Sequence, residues 1–217
     1  LMFFPYKDDN PRVLFPYITY ALITINTLIF LTFSYVSFYT TNTNLFYTFG
    51  FIPNSFNLFS ILSSMFIHGG FSHILSNMWF LYIFGDNIES ILGHIKFLLF
   101  YILCGFGAAL AQYIIDPNSS IPMVGASGAI AGVLGAYMIS FPKAKVHVFA
   151  FIIIFITTFI VPAKIVLGFW FFIQLSSGLN SLGIDTHGGV AWFAHIGGFI
   201  SGVGSIKYIQ NYKITEK

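Results

Sequence analysis

The sequence predicts an all-α, polytopic membrane protein whose six transmembrane helices form one bundle. Of its 217 residues, 57% are hydrophobic and only 7% are charged, a balance that a water-soluble globule of this size does not have. Six apolar runs approach the roughly 20 residues that a bilayer requires. They lie at 17–39, 71–91, 95–115, 127–141, 163–179 and 192–209. Membrane lipid is therefore a predicted partner, whereas the small, scattered net charge of +2 does not suggest nucleic acid.

Three predicted parts divide the chain. Residues 1–16 are polar and bracketed by prolines, which predicts a short cytoplasmic tail without a soluble domain. The run from Tyr17 is longer than a signal-peptide core, so we expect a retained helix. Residues 17–209 form the predicted membrane domain and residues 210–217 a second cytoplasmic tail.

Two segments between the runs need separate interpretation. Residues 40–70 are rich in Asn, Thr, Ser and aromatic residues, which predicts a structured interfacial loop. Residues 146–161 could be a seventh span by hydropathy. Lys143 and Lys145 precede this stretch and Lys164 follows it, so the positive-inside rule leaves both ends on the cytoplasmic side and predicts an interfacial or re-entrant segment.

The basic residues then all fall on one side of the membrane, which predicts cytoplasmic termini. They are Lys7, Arg12, Lys96, Lys143, Lys145, Lys164, Lys207, Lys213 and Lys217. The opposite side holds the first loop, Asp116, Asp185 and His187. A bacterial inner membrane fits the short tail and the lack of extra domains, and a eukaryotic organelle is the alternative.

Ser127 stands where the fourth predicted helix begins, in "VGASGAIAGVLGAY". Small residues in membrane helices usually serve close packing, which is the alternative role for this serine. At a helix N-terminus, however, unpaired amides and the dipole favour negative charge. An oxyanion formed on attack by Ser127 would meet donors already in place. The neighbours that we assign to helix packing are Gly125, Gly128, Ala131 and Gly132.

His195 lies near the start of the sixth predicted helix, in "WFAHIGGFISGVGS". Gly198 and Gly202 follow on one face and form a G-x-x-x-G contact surface. If this face meets the small residues of the fourth helix, Ser127 and His195 come within hydrogen-bonding reach. A hydroxyl and a neutral imidazole are the minimum for a serine nucleophile with its own base. For a lone membrane histidine, a cofactor ligand or a structural role are the alternatives.

His73 and Asn77 stand four residues apart near the outer end of the second predicted helix, so they share a face. Both side chains can donate hydrogen bonds to an oxyanion beside the Ser127 amide. The alternative is that they bind carbonyl groups of the first loop. We expect His68 to be structural, and we assign no chemistry to His94, His147 and His187.

Three segments of the chain resemble the motifs of one family, the rhomboid intramembrane serine proteases. "HGGFSHILSNMWFLYIFGDNIE" is similar to the family's loop and second helix, "GASGAIAGVLGAY" to its nucleophile motif, and "AHIGGFISG" to its histidine motif. The motifs follow one another in the family's order, and the resemblance covers nearly the whole chain.

The resemblance implies a six-helix core with a water-filled cavity, open to the outer side, in which a serine–histidine dyad cleaves transmembrane protein substrates. Ser127 would be the nucleophile and His195 the general base and then acid. The Ser127 amide, His73 and Asn77 would form the oxyanion hole. The family implies no acidic third member, no cofactor and no metal. Substrates would arrive laterally between the second and fifth helices, under a cap formed by residues 176–191.

Two positions depart from the family pattern. Ala131 stands where some members carry an aromatic residue that packs on the catalytic histidine, so other contacts must orient His195. Glu89 is not followed by the arginine that often accompanies it, which bears on packing at the inner side.

Three other functions are alternatives. A rhomboid-like pseudoprotease would bind transmembrane helices without cutting them, but both members of the dyad are present. A channel or small transporter is disfavoured because the polar residues are confined to the outer half. A membrane metalloprotease is disfavoured because the sequence contains no H-E-x-x-H.

Overall fold

The computed structural model describes residues 2–40, 45–152, 155–182 and 190–210. Helices occupy all six positions at which the sequence predicts them, and shorter helices fill the first loop. The helices are α1 (Tyr17–Thr40), α2 (Leu45–Phe49), α3 (Leu58–Ser64), α4 (Phe71–Leu92), α5 (His94–Ile115), α6 (Ser127–Ser140), α7 (Ala163–Ser181) and α8 (Trp192–Ile209). A 3-10 turn at Pro53–Ser55 separates α2 from α3.

Two of the described helical segments are long and apolar enough to cross a membrane, namely Tyr17–Val36 and His94–Ile115. Ser127–Ser140 is a shorter apolar helix. The helix α4 is not among these candidates, and it carries His73, Asn77, Asp86 and Glu89 among its apolar residues. Length and composition therefore identify fewer spans than the sequence predicts, and the count of six stays a prediction.

The prediction of an all-α chain was incomplete, because a three-stranded antiparallel sheet accompanies the helices. Its strands are β1 (Met2–Asp8), β2 (Lys145–Ile152) and β3 (Phe155–Pro162), in the order β1-β2-β3. The segment predicted as interfacial or re-entrant thus forms β2 and β3. Its β-branched and aromatic residues favour strands, and Val146 and Val148, two positions apart, are both buried as one face of a strand requires.

The predicted tail 1–16 contains β1, which pairs along β2 from Met2↔Phe151 to Asp8↔Val146. The indole N–H of Trp79 donates to the carbonyl of Pro5 at 2.8 Å, and this bond holds β1 against α4. Burial raises the pKa of Asp8 to about 6, although a hydrogen bond from the Tyr137 hydroxyl lowers it. The N-terminal segment is therefore an integral layer of the fold.

Glu89 joins the end of α4 to the start of α1. Its fully buried carboxylate accepts hydrogen bonds from the amides of Ile18 and Thr19 at 2.9 and 2.8 Å. Negative charge at a helix N-terminus is favourable because the first amides have no partner within the helix. The neighbouring carboxylate of Asp86 pairs with an arginine: Nε of Arg12 lies 2.9 Å from Oδ2 of Asp86. The lone glutamate noted in the sequence thus caps a helix.

Glycines bring α6 and α8 into backbone contact. A Cβ atom at Gly198 would overlap the carbonyl oxygen of Gly128, and one at Gly202 would overlap that of Gly132. Gly132 also lies against Cys104 of α5. In the structure, the small-residue faces of α6 and α8 lie against each other. We call the end of the bundle at which α6 and α8 begin the serine end, and the opposite end, which carries β1–β3, the sheet end.

Candidate active site

The first loop fixes the backbone that leads into Ser127. Met123 forms an antiparallel bridge with Phe51, and the amide of Gly125 donates to the carbonyl of Ser64 at 2.9 Å. Gly125 has a φ of +118°, a conformation that side chains other than glycine's rarely adopt. Ser127 then opens α6, which has no side-chain cap, so the amides of its first turn lack intrahelical partners.

Ser127 and His195 form a hydrogen-bonded pair between the first turns of α6 and α8. The Nε2 atom of His195 lies 2.8 Å from the Oγ atom of Ser127. Both residues are half-buried. The proximity predicted from the sequence is present in the structure, and the glycine contacts between the two helices are its cause.

His73 and Asn77 of α4 converge on the backbone immediately before Ser127. A Cβ atom at Gly125 would lie 2.6 Å from Nε2 of His73 and 3.6 Å from Nδ2 of Asn77. Nδ1 of His73 accepts from the amide of Gly69 at 3.4 Å, so in the neutral ring the proton is on Nε2. Nδ2 of Asn77 is buried and has no hydrogen-bond partner within the described part of the chain. Two donor nitrogens, Nε2 of His73 and Nδ2 of Asn77, thus lie against the backbone at Gly125.

A cavity of about 950 Å³ adjoins these groups. Its wall includes Ser127, His195, His73, Asn77, Trp170 and Gln174. The helices α4 and α7 both contribute to this wall, yet α7 packs mainly on α8 and α6 and not closely on α4. Of the predicted cap 176–191, residues 176–181 belong to α7, Val190 and Ala191 line the cavity, and residues 183–189, with Asp185 and His187, lie outside the described residues.

Three residues that contact His195 were not predicted from the sequence: Gln174, Trp170 and Trp192, whose ring centroid lies 6.2 Å from that of the imidazole. The amide oxygen of Gln174 lies 2.7 Å from Nδ1 of His195, and the Trp170 ring lies 6.0 Å from the imidazole, centroid to centroid. Ala131 is fully buried in the core. The sequence does mark Gln174, because it is an amide inside the apolar run "WFFIQLSS". A polar side chain within a membrane helix is a candidate for a functional role.

The remaining described histidines make structural contacts. His68 accepts from the amide of Ala126 at 3.5 Å, in agreement with its predicted structural role. His94 contacts Glu89 at 2.6 Å, and His147 contacts Asp9 at 2.8 Å.

Comparison with known proteins identifies the family to which the chain belongs. A model of the rhomboid domain matches residues 55–211, a range that contains every candidate site residue. The chain is 31% identical over 192 residues to "Rhomboid protease GluP" of Bacillus subtilis (strain 168), covering 86% of this chain and 34% of that protein. It is 32% identical over 149 residues to "Rhomboid protein 1, mitochondrial" of Saccharomyces cerevisiae, and the match covers 66% of this chain and 40% of that protein.

A third relative, "RHOMBOID-like protein 4" of Arabidopsis thaliana, is 33% identical over 143 residues, covering 65% of this chain and 32% of the relative. The chain spans between 25% and 40% of the length of the curated relatives it matches. These relatives include bacterial, plant and mitochondrial proteins, so they do not favour the predicted bacterial inner membrane. Because the family model covers more than half of its residues, the chain belongs to the rhomboid family, a family of membrane proteins that includes proteases.

Proposed function

We propose that the chain is an intramembrane serine endopeptidase that hydrolyses peptide bonds in or near transmembrane segments of other membrane proteins. One observation carries this proposal: the imidazole of His195 lies 2.8 Å from the hydroxyl of Ser127 at the wall of a large cavity. Family membership supports it, and two bacterial relatives bear the names "Rhomboid protease GluP" and "Putative rhomboid protease YdcA".

In the first half of the reaction, Nε2 of His195 takes the Ser127 hydroxyl proton while Oγ attacks the substrate carbonyl carbon. The carbonyl π electrons move to oxygen and give a tetrahedral oxyanion. His195 then donates the proton from Nε2 to the leaving amine as the C–N bond breaks. An acyl ester on Ser127 remains, and His195 is neutral again.

In the second half, water occupies the position of the departed amine. His195 accepts a proton from this water while the oxygen attacks the ester, and it returns the proton to Oγ of Ser127 as the ester breaks. The products are a carboxylic acid and an amine, and the enzyme is regenerated without a cofactor or a metal.

The oxyanion of both steps would accept hydrogen bonds from the Ser127 amide, Nε2 of His73 and Nδ2 of Asn77. The amide nitrogen of Asn77 supports this assignment most directly, because it is buried and has no hydrogen-bond partner among the described residues, and a buried donor without an acceptor calls for an explanation such as a functional role. Donors fixed before the reaction stabilise the developing charge without reorganisation.

We further propose six membrane spans, α1 and α4 to α8, with substrate arriving laterally between α4 and α7. The loose contact between these two helices supports this route. Large apolar side chains exposed on α5 and α7, such as Leu99, Ile114 and Phe172, suit contact with lipid. A substrate helix must unwind locally before its carbonyl is accessible, so helix-breaking residues near the membrane surface should favour cleavage.

Charge supports an orientation with the sheet end in the cytoplasm and the serine end outside. The described basic residues belong to β1, to β2 or to segments at the sheet end of the helices, as the positive-inside rule requires of a cytoplasmic face. Both termini would then be cytoplasmic.

Ser127→Ala should abolish cleavage of a labelled transmembrane peptide in proteoliposomes, because the nucleophile is lost. Ser140→Ala is the matched control: Ser140 ends the same helix, at the sheet end, and this variant should cleave at the wild-type rate. Cleavage that persists in Ser127→Ala contradicts the proposal. Binding of the peptide by the wild-type protein without any cleavage would identify a pseudoprotease.

A further inference from the structure

Gln174 occupies the middle of α7 and faces the candidate dyad. Its side chain is 6% exposed, and its Oε1 atom lies 2.7 Å from Nδ1 of His195. Trp170 precedes it by one helical turn and Gly178 follows by one turn, so the three residues share a face. This face packs on the first turns of α8, where Gly178 lies beside Trp192 and Ile196.

The contact with Gln174 determines which nitrogen of His195 carries the proton. A carbonyl oxygen only accepts hydrogen bonds, so Nδ1 must donate to it. A neutral imidazole has a single N–H, and Nε2 is then left with a free lone pair. Nε2 is the atom that faces the Ser127 hydroxyl at 2.8 Å. The same ring orientation with the other tautomer could not accept the serine proton.

Aromatic contacts restrict the ring further. The Trp170 ring is inclined by 36° to the imidazole at 6.0 Å, and the Trp192 ring stands at 90° to it at 6.2 Å. Ala131 offers only a methyl group at the place where some family members carry an aromatic residue. Among the described contacts, the Ser127 hydroxyl of α6 holds Nε2 of His195, and the other groups that orient the ring belong to α7 and to the start of α8.

We propose that Gln174 is a positioning residue that holds His195 in the tautomer able to accept the serine proton, an inference that rests on the proposed function. A neutral amide suits this place better than a carboxylate, since an ionised group within the membrane is costly. The amide orients the imidazole but does not neutralise the imidazolium that forms during the reaction. Gln174 thus takes over the orienting part of the role that an acidic residue has in a triad.

Gln174→Met retains the length of the side chain and removes the acceptor, whereas Gln174→Glu retains an acceptor oxygen. For cleavage of the same peptide, we expect kcat of Gln174→Met to fall about tenfold with KM unchanged, the effect of one lost hydrogen bond. Gln174→Glu should restore most of the rate. The control is Ile173→Met, at a neighbouring position on the exposed side of α7, which should match the wild type.

A second readout needs neither substrate nor turnover. In protein labelled with ¹⁵N-histidine, the His195 signals, assigned with His195→Ala, should show the proton on Nδ1 in the wild type. In Gln174→Met this preference should be lost. A wild-type His195 protonated on Nε2, or an unchanged tautomer and kcat in Gln174→Met, overturns the inference.

The two readouts separate the possible failures. If the wild type cleaves nothing and yet shows the Nδ1 proton and its loss in Gln174→Met, the proposed function fails and Gln174 still orients His195. If the wild type cleaves and Gln174→Met is indistinguishable from it by rate and tautomer, the proposed function stands and the role of Gln174 is rejected.

Discussion

Gly125 allows two donor side chains to lie against the backbone that leads into Ser127. Its positive φ suits glycine, and a Cβ atom there would lie 2.6 Å from Nε2 of His73. Real Cβ contacts do not come so close, so an added methyl group must displace the imidazole or the backbone. The geometry of the proposed oxyanion site thus depends on the absence of one methyl group.

Gly125→Ala should therefore lower kcat by about a hundredfold, the effect of displacing one oxyanion donor. The measurement is the rate of peptide cleavage in proteoliposomes at saturating substrate. Gly70→Ala is the matched loop control, because a Cβ at Gly70 meets nothing within 4 Å, and it should keep the wild-type rate. Equal rates for the two variants would contradict the assignment of His73 as a donor.

Residue types and spacing predicted the Ser127–His195 contact and the shared face of His73 and Asn77. Each of these four residues is a polar side chain in a predicted membrane helix, which the sequence alone reveals. Gln174 and Trp170 were missed because their importance depends on the rotation of α7 relative to α8, which the apolar sequence of α7 does not define. The catalytic roles of all these residues stay predictions until activity is measured.

The packing of α6 on α8 holds the two halves of the candidate dyad together. Gly128 and Gly132 lie against Gly198 and Gly202 with the backbones in contact. For the proposed membrane-spanning arrangement, such close approach gives the van der Waals packing that helps helices associate in lipid.

Gly202→Ala should lower the free energy of unfolding by about 1–3 kcal/mol, because its methyl group would overlap the Gly132 carbonyl in a filled core. Cleavage should also fall, since α8 must move away from α6. Gly204→Ala on the same helix is the control, as a Cβ there meets nothing within 4 Å. Reversible unfolding in mixed micelles compares the two, and equal stabilities would contradict the packing account.

Helix positions were predictable because long apolar runs bounded by polar residues have few alternatives in a membrane protein. Hydropathy and charge at 145–162 do not distinguish strands from an interfacial segment, and only the β-branched and aromatic residues there favour strands. The pairing of β1 with β2 could not be foreseen, because the two strands lie more than 130 residues apart in the chain. Long-range strand pairing depends on tertiary packing, here the docking of β1 on Trp79.

The two ends of the molecule have different chemistry. Ion pairs and a helix cap occupy the sheet end, where Arg12 contacts Asp86 and Glu89 holds the start of α1. The serine end contains the cavity, whose wall includes Ser127, His195, His73 and Asn77. The structure therefore has a charged sheet end and, at the serine end, a recess lined by both polar and apolar side chains, as the proposed hydrolysis requires.

The most direct test of this account is reaction of the purified protein with a fluorophosphonate probe, followed by mapping of the adduct by mass spectrometry. Such probes report a serine hydroxyl that a neighbouring base has activated. The account predicts one adduct on Ser127 that disappears in His195→Ala while the fold is retained. An unlabelled Ser127, or equal labelling of Ser127 with and without His195, would contradict it.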